Sequence, residues 1–264
     1  MIYRKILYRV TLFLWRKKNI LFNDKKLNDT IWRTVANIEK GNTQIIYLTD
    51  FNLVYMAIPK VANSSIKTLL AQNIGLKGNL NRKGGLAYLF NHHKEAKILN
   101  QKGILISKNK LNKLKKDNKN LKIFTVVRDP IDRLYSFYAS CLASEVLMKK
   151  LINFYGPNSF SQGMSFKQFI EQVIQIPDLI SNRHFQSQYL FLKYKNKYLV
   201  DNIFRFDQLN KELVVFLEAS GIETGSFNNV NKGIFVEQTE KISSNLKFKV
   251  RKRYLKDYNL IEKI

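Results

Sequence analysis

The chain has 264 residues, 45% of them hydrophobic, with 45 Lys and Arg against 20 Asp and Glu, a formal charge of +25 and one cysteine. That hydrophobic content, rich in Phe and Tyr, excludes a disordered chain and suits one well-cored α/β domain. The single Cys141 excludes an intramolecular disulfide framework, and no apolar run approaches the ~20 residues that span a bilayer.

Residues 1–22 read as a basic amphipathic helix. Tyr3, Ile6, Leu7, Val10, Phe13 and Leu14 fall on one face at helical spacing, and Arg4, Lys5, Arg9, Arg16, Lys17 and Lys18 fall largely elsewhere. Such a helix either rests on an anionic membrane surface or packs its stripe against the domain. Val10–Trp15 is too short for a signal core and no small-residue cleavage site follows, so the expected location is cytoplasmic, with the inner membrane face as the site of any peripheral contact.

Residues 52–57 form an apolar run closed by Pro59, the pattern of a buried parallel strand. A helix is expected from about Ser64 to Asn73. Gly75, Gly78, Gly84 and Gly85 mark a loop-rich stretch, and the pattern turns helical again near His92. Residues 107–120, rich in Lys and Asn, suggest a solvated surface helix. A second strand covers 121–127. Pro130 suits the first turn of the next helix, which runs through Tyr138 and places Cys141 as a buried thiol. Residues 144–180 are mostly helical with a break at Gly156-Pro157. A third strand covers 202–206, Asp207 caps a helix from Gln208 to Ala219 ended by Gly221, and a last helix covers 239–258. Strands alternating with helices predict an α/β fold with an open, doubly wound parallel sheet and anion sites at the strand C-terminal ends.

Two strand–turn–helix junctions carry the chemistry. One is Ala57-Ile58-Pro59-Lys60-Val61-Ala62-Asn63-Ser64-Ser65-Ile66-Lys67, and the other runs from Phe124 through Arg128-Asp129-Pro130-Ile131-Asp132-Arg133-Leu134-Tyr135-Ser136. A helix N-terminus offers backbone N–H groups and a positive dipole end, so two such junctions suit a ligand with two separated anionic groups. The first is not a Walker A loop: the lysine comes first and the glycine arch is missing. Arg128, at the end of an apolar strand, offers a planar fork for a phosphate, and Arg133 with Asp132 is expected to fix the turn. No Cys/His cluster or paired-Asp loop is present, so no metal is expected.

Together these motifs resemble the carbohydrate sulfotransferases, the Golgi-type and bacterial "sulfotransferase family 2" group. The resemblance spans about residues 48–260 and implies a single sulfotransferase domain, 46–264, with a P-loop-like open parallel sheet flanked by helices and a helical N-terminal extension, 1–45. It implies 3′-phosphoadenosine 5′-phosphosulfate (PAPS) as donor. Pro59, Lys60, Ala62, Asn63, Ser64 and Ser65 would form the 5′-phosphosulfate loop, with Lys60 supporting the leaving group. Arg128 and Ser136 would bind the 3′-phosphate. Asn229-Val230-Asn231-Lys232-Gly233 is similar to the late loop of the family, from which Lys232 would reach the same phosphate. Relatives place a His or Glu base between the two motifs, where His92, His93 and Glu95 all stand. Asn182-Arg183-His184-Phe185-Gln186-Ser187-Gln188 resembles the His-Trp-x-Pro-Gln segment with Phe for Trp and Ser for Pro, and assigns Arg183 and His184 to the acceptor or nucleotide side. The implied acceptor is a carbohydrate hydroxyl, on a capsular or surface glycan or a glycolipid, as in bacterial polysaccharide biosynthesis. Two other classes stand beside it: a nucleotide-dependent kinase on a similar sheet, and a basic nucleic-acid or polyanion-binding protein, for which no specific nucleic-acid motif exists.

Overall fold

The computed structural model describes residues 6, 10, 13, 44–76, 85–90, 93–225 and 242–264. In chain order these form β1 (Gln44–Leu48), β2 (Leu53–Ala57), α1 (Asn63–Asn73), α2 (His93–Gln101), β3 (Leu105–Ile106), α3 (Lys108–Asp117), β4 (Lys122–Val127), α4 (Pro130–Leu142), α5 (Glu145–Tyr155), α6 (Phe166–Val173), α7 (Tyr189–Leu192), β5 (Lys193–Tyr194), β6 (Lys197–Tyr198), β7 (Asn202–Arg205), α8 (Val214–Glu218), α9 (Ser244–Arg253) and α10 (Leu255–Ile261).

The main sheet has the order β3-β1-β2-β4-β7. Every residue of β2 is buried, and so is β4 beyond Lys122, as expected of strands covered on both faces. β2 pairs parallel with β4, and β4 parallel with β7. The α/β class and the parallel centre are as expected. What the sequence reading did not contain is the antiparallel edge, in which β1 pairs with both β2 and β3. Its cause is the short link from β1 to β2. Thr49–Phe51 form a single 3₁₀ turn closed by left-handed Asn52 (φ 51°), and a connection that short makes only an antiparallel neighbour.

The chain divides into two compact units. The sheet unit comprises, among the described residues, 44–76, 85–90, 93–129, 188–225 and 259–264. Its core is the sheet and α1, with Tyr55 stacked on Phe124 at 5.0 Å between ring centroids. The helical unit comprises, among the described residues, 130–187 and 242–258. An aromatic cluster of Phe137, Tyr155, Phe160, Phe166, Phe169 and Phe185 fills it. Two of its buried phenols donate to carbonyls, Tyr138 to Met164 at 2.8 Å and Tyr155 to Ile180 at 2.7 Å, which removes the cost of burying them. Cys141 is buried here.

Two local expectations are corrected. Asp207 does not cap a helix; it pairs with Arg205 at 2.7 Å, and the chain continues as a 3₁₀ turn, a π-helical turn (Leu209–Leu213) and then α8. The last helix is broken in two at Tyr254, which is buried and donates to Phe185 O at 2.6 Å. Of the proposed N-terminal helix, Ile6, Val10 and Phe13 are helical and exposed; the rest of residues 1–22 lies outside the described residues. Among the described residues no helix is long and apolar enough to cross a membrane.

Candidate functional site

In the sheet unit, β2 leads through Ile58, Pro59, Lys60, Val61 and Ala62 into α1. Ile58, Pro59 and Val61 are buried and anchor the turn, leaving Lys60 half-buried. Lys60 (φ 72°) and Ala62 (φ 59°) are both left-handed, a conformation that costs a residue with a Cβ about 1–2 kcal/mol. Left-handed residues in a turn direct backbone N–H groups into a concavity suited to an anion. Ala62 is also the N-cap of α1, and no side chain caps that end; the first helical bond, Ile66 N–H to Ala62 O, measures 3.0 Å. An alanine where Ser, Thr, Asp or Asn is preferred leaves the first-turn N–H groups of Asn63, Ser64 and Ser65 to another acceptor. Ser64 is exposed and Ser65 half-buried. Asn63 is oriented instead by the buried Tyr55 phenol, which donates to its Oδ1 at 3.4 Å.

Because β2 and β4 are adjacent and parallel, Arg128 leaves the sheet at the same edge as this turn, one strand spacing of about 5 Å away. Its backbone is fixed by Gln188, a fully buried residue. The Arg128 N–H donates to Gln188 Oε1 at 3.0 Å, and Gln188 Nε2 donates to Arg128 O at 2.7 Å. The guanidinium lies over the Phe206 ring at 4.1 Å, and the buried Nε makes no hydrogen bond. A second cation comes from within α1: Lys67 is buried and donates to Gln44 Oε1, whose Nε2 donates to Phe90 O at 2.6 Å. Gln188 and Lys67 both stand in the quoted segments, but the sequence assigns neither a role. Gln188 stood inside the quoted 182–188 segment, and Lys67 was visible as a cation on the apolar face of α1.

Ser136, Arg183 and His184 belong to the helical unit. Ser136 is half-buried on α4, two turns after Pro130, which opens the helix as its fixed φ and missing N–H allow. Arg133 is structural, as expected: Nη1 donates to Gln186 O at 2.8 Å and Nη2 to Arg183 O at 3.0 Å, and the buried Asp257 acts on its charge. Segment 182–187 is bound at nearly every residue. Ser187 gives its N–H and hydroxyl to Asp178 at 2.9 and 2.7 Å, and Arg253 bonds Asp178 at 2.8 Å. The His184 ring stacks on Phe137 at 4.6 Å and 5°. His184 Nδ1 lies 2.8 Å from Asn182 Oδ1, which also accepts the His184 N–H; the hydrogen is therefore assigned to Nδ1, which makes Nε2 the basic nitrogen. Arg183 is half-buried with its Nε enclosed and making no hydrogen bond, and burial lowers the guanidinium pKa.

The structure thus gathers Pro59, Lys60, Ala62, Asn63, Ser64, Ser65 and Arg128 at one edge of the sheet, and Ser136, Arg183 and His184 within the helical unit. Of the candidate bases, Glu95 is half-buried in the first turn of α2 and His93 opens that helix. The His93 side chain, His92 and Lys232 lie outside the described residues.

No curated protein and no solved structure matches the chain. The sulfotransferase family model matches residues 43–263, a span that includes the uncapped helix N-terminus, the left-handed lysine turn before it and Arg128 after the neighbouring parallel strand; the chain belongs to the sulfotransferase family.

Proposed function

We propose that the protein transfers a sulfuryl group from PAPS to a hydroxyl of a carbohydrate or glycoconjugate, releasing adenosine 3′,5′-bisphosphate. The observation that carries this reading is the left-handed Lys60–Ala62 turn feeding an α1 end that no side chain caps. Strain of this kind persists where the surrounding structure holds it for a purpose, and an anion-binding concavity is such a purpose.

In this reading the turn and the first-turn amides of α1, with Ser64 and Ser65, hold the 5′-phosphosulfate. Arg128 holds the 3′-phosphate, a role for which the resemblance also names Ser136 and Lys232. The acceptor oxygen attacks sulfur in line with the leaving phosphate oxygen. The S–O bond to that phosphate breaks, and the Lys60 ammonium offsets the charge that develops on it. The acceptor proton passes to His92, His93 or Glu95. Arg183 and His184 contact the acceptor. No metal is needed, since the donor is already activated. The basic segment 1–22, with exposed Ile6, Val10 and Phe13, would rest on the inner face of an anionic membrane and bring the enzyme to a glycolipid-linked acceptor in the cytoplasm. Sedimentation with phosphatidylglycerol vesicles tests that contact, and a chain lacking residues 1–22 that still sediments equally would refute it.

The activity test follows adenosine 3′,5′-bisphosphate released from PAPS with a panel of capsular glycans and glycolipids. Lys60→Ala should cut the rate 100-fold or more, the scale of losing one preorganised charge at the leaving group. It should leave bisphosphate affinity within a few-fold. Wild-type rates in Lys60→Ala would remove the lysine from the mechanism.

A further inference from the structure

We propose that α9 and the start of α10 form a membrane-contact surface, which seats the helical unit on a bilayer carrying anionic lipid headgroups. This goes beyond the sulfotransferase reading and does not depend on it, nor on the contact assigned above to residues 1–22.

α9 buries one side and leaves an apolar residue in the middle of the other. Leu246 and Val250 belong to the core of the helical unit, and the buried Tyr254 ends the helix behind them. At about 3.6 residues per turn Phe248 stands opposite that pair. It is 68% exposed, more than any other large hydrophobic residue among those described. Leu255, which opens α10, is 49% exposed. Around these two, Lys247, Lys249, Arg251, Lys252 and Lys256 are all exposed. Residues 243–256 contain no Asp or Glu. The remaining cation of the stretch, Arg253, turns inward to Asp178 at 2.8 Å and leaves the outer face.

The fold itself accounts for part of this pattern. Cations in the last turn of a helix complement its dipole, which covers Arg251 and Lys252. Arg251 also lies over the Tyr258 ring at 5.0 Å. Neither argument reaches Lys247 and Lys249, in the first half of the helix, or the exposed phenylalanine between them. One exposed apolar side chain is common and means little alone. Set among charges of a single sign, it selects the partner. A nucleic acid or an acidic polysaccharide would answer the charge and leave Leu255 in water. A protein partner would need far more buried area than two apolar side chains supply. An anionic bilayer takes both features: headgroup phosphates meet the Lys and Arg side chains, and the acyl boundary takes the Phe248 ring and Leu255.

Sedimentation of the full chain tests this, with vesicles of phosphatidylglycerol mixed into phosphatidylcholine and with phosphatidylcholine alone. Wild type should bind the anionic vesicles at least tenfold more tightly than the neutral ones. Phe248→Ser/Leu255→Ser should lower that binding about tenfold, and Lys249→Gln/Lys252→Gln about as much. Val215→Ser, a comparably exposed apolar position on α8, should leave it unchanged. Residues 1–22 are present in every variant, so a readout local to α9 separates the two contacts. In Phe248→Trp the added indole should be quenched by brominated phosphatidylglycerol beyond the quenching of wild type, whose two tryptophans, Trp15 and Trp32, lie near the N-terminus. Unchanged binding in either double variant, or no added quenching in Phe248→Trp, would overturn the proposal. So would heparin binding that falls as far in Phe248→Ser/Leu255→Ser, since it would assign the face to a soluble polyanion. None of these readouts involves PAPS, so failure here leaves the sulfotransferase reading standing, and failure of that reading leaves this surface testable.

Discussion

Lys60 and Ala62 hold a backbone conformation that neither side chain favours, at φ 72° and 59°. Glycine meets no penalty there and is also a better N-cap than alanine. Ala62→Gly should therefore raise the stability of the ligand-free protein by about 1 kcal/mol in urea unfolding. An unchanged or lower midpoint would mean that the turn stores no strain. Gln188 is the complementary case. It satisfies both backbone groups of Arg128, and Gln188→Ala leaves a buried N–H and C=O without them. The expected loss is about 2–3 kcal/mol, together with weaker bisphosphate binding, because Arg128 would no longer be positioned. Full affinity in a destabilised Gln188→Ala would reduce its role to packing. The motif residues were legible in the sequence because a cation between an apolar strand and a helix N-terminus suits anion binding and adds nothing to the core. Gln188 was not, because its meaning depends on a partner 60 residues away.

At the scale of elements, segment 182–187 is irregular chain made rigid by its hydrogen bonds. Asp178 holds two donors of Ser187 and the Arg253 guanidinium, whose side chain is only 12% exposed. Asp178→Ala would leave that cation with carbonyl and hydroxyl partners only, and should cost about 3 kcal/mol. Asp178→Asn, which keeps an acceptor oxygen, should cost less; equal losses would mean that the charge is irrelevant. The central elements β2, β4 and α4 were legible because fully buried strands read as unbroken apolar runs and Pro130 marks a helix start. β1 and β3 were not, since a two-residue strand has no periodicity and Gln44–Leu48 lies just beyond the first recognised motif. The break at Tyr254 was hidden for a related reason: helical spacing continues through it, and only the burial of the ring and its bond to Phe185 O divides the helix.

For the whole molecule, the +25 charge decided little about fold, and buried cations carry more information than exposed ones. Lys108 donates to the carbonyls of Leu190 and Lys193 at 3.0 and 2.9 Å, and burial lowers its pKa to about 8 from 10.5. The unfolded chain therefore binds more protons than the folded one from pH 8 to about 10, and stability should rise with pH across that window, by roughly 2 kcal/mol or less. Above pH 10 the sign should reverse, because burial raises the phenols of Tyr55 and Tyr254 and the unfolded chain loses those protons first. Lys108→Met should abolish the rise between pH 8 and 10 when unfolding is followed against pH; a variant with the same slope would assign the effect elsewhere.

The central claim is that the sheet edge at Lys60 and Arg128 is a site for a nucleotide with phosphates at both the 3′ and 5′ positions. Thermal unfolding with adenosine 3′,5′-bisphosphate, ATP and AMP compared side by side tests it most directly. A ligand at 100-fold its dissociation constant that binds only the native state adds about 2.7 kcal/mol, an easily measured shift. Stabilisation by the bisphosphate well above that by ATP or AMP, lost in Arg128→Ala, is the predicted result. No response, or an equal response to ATP, would contradict the account.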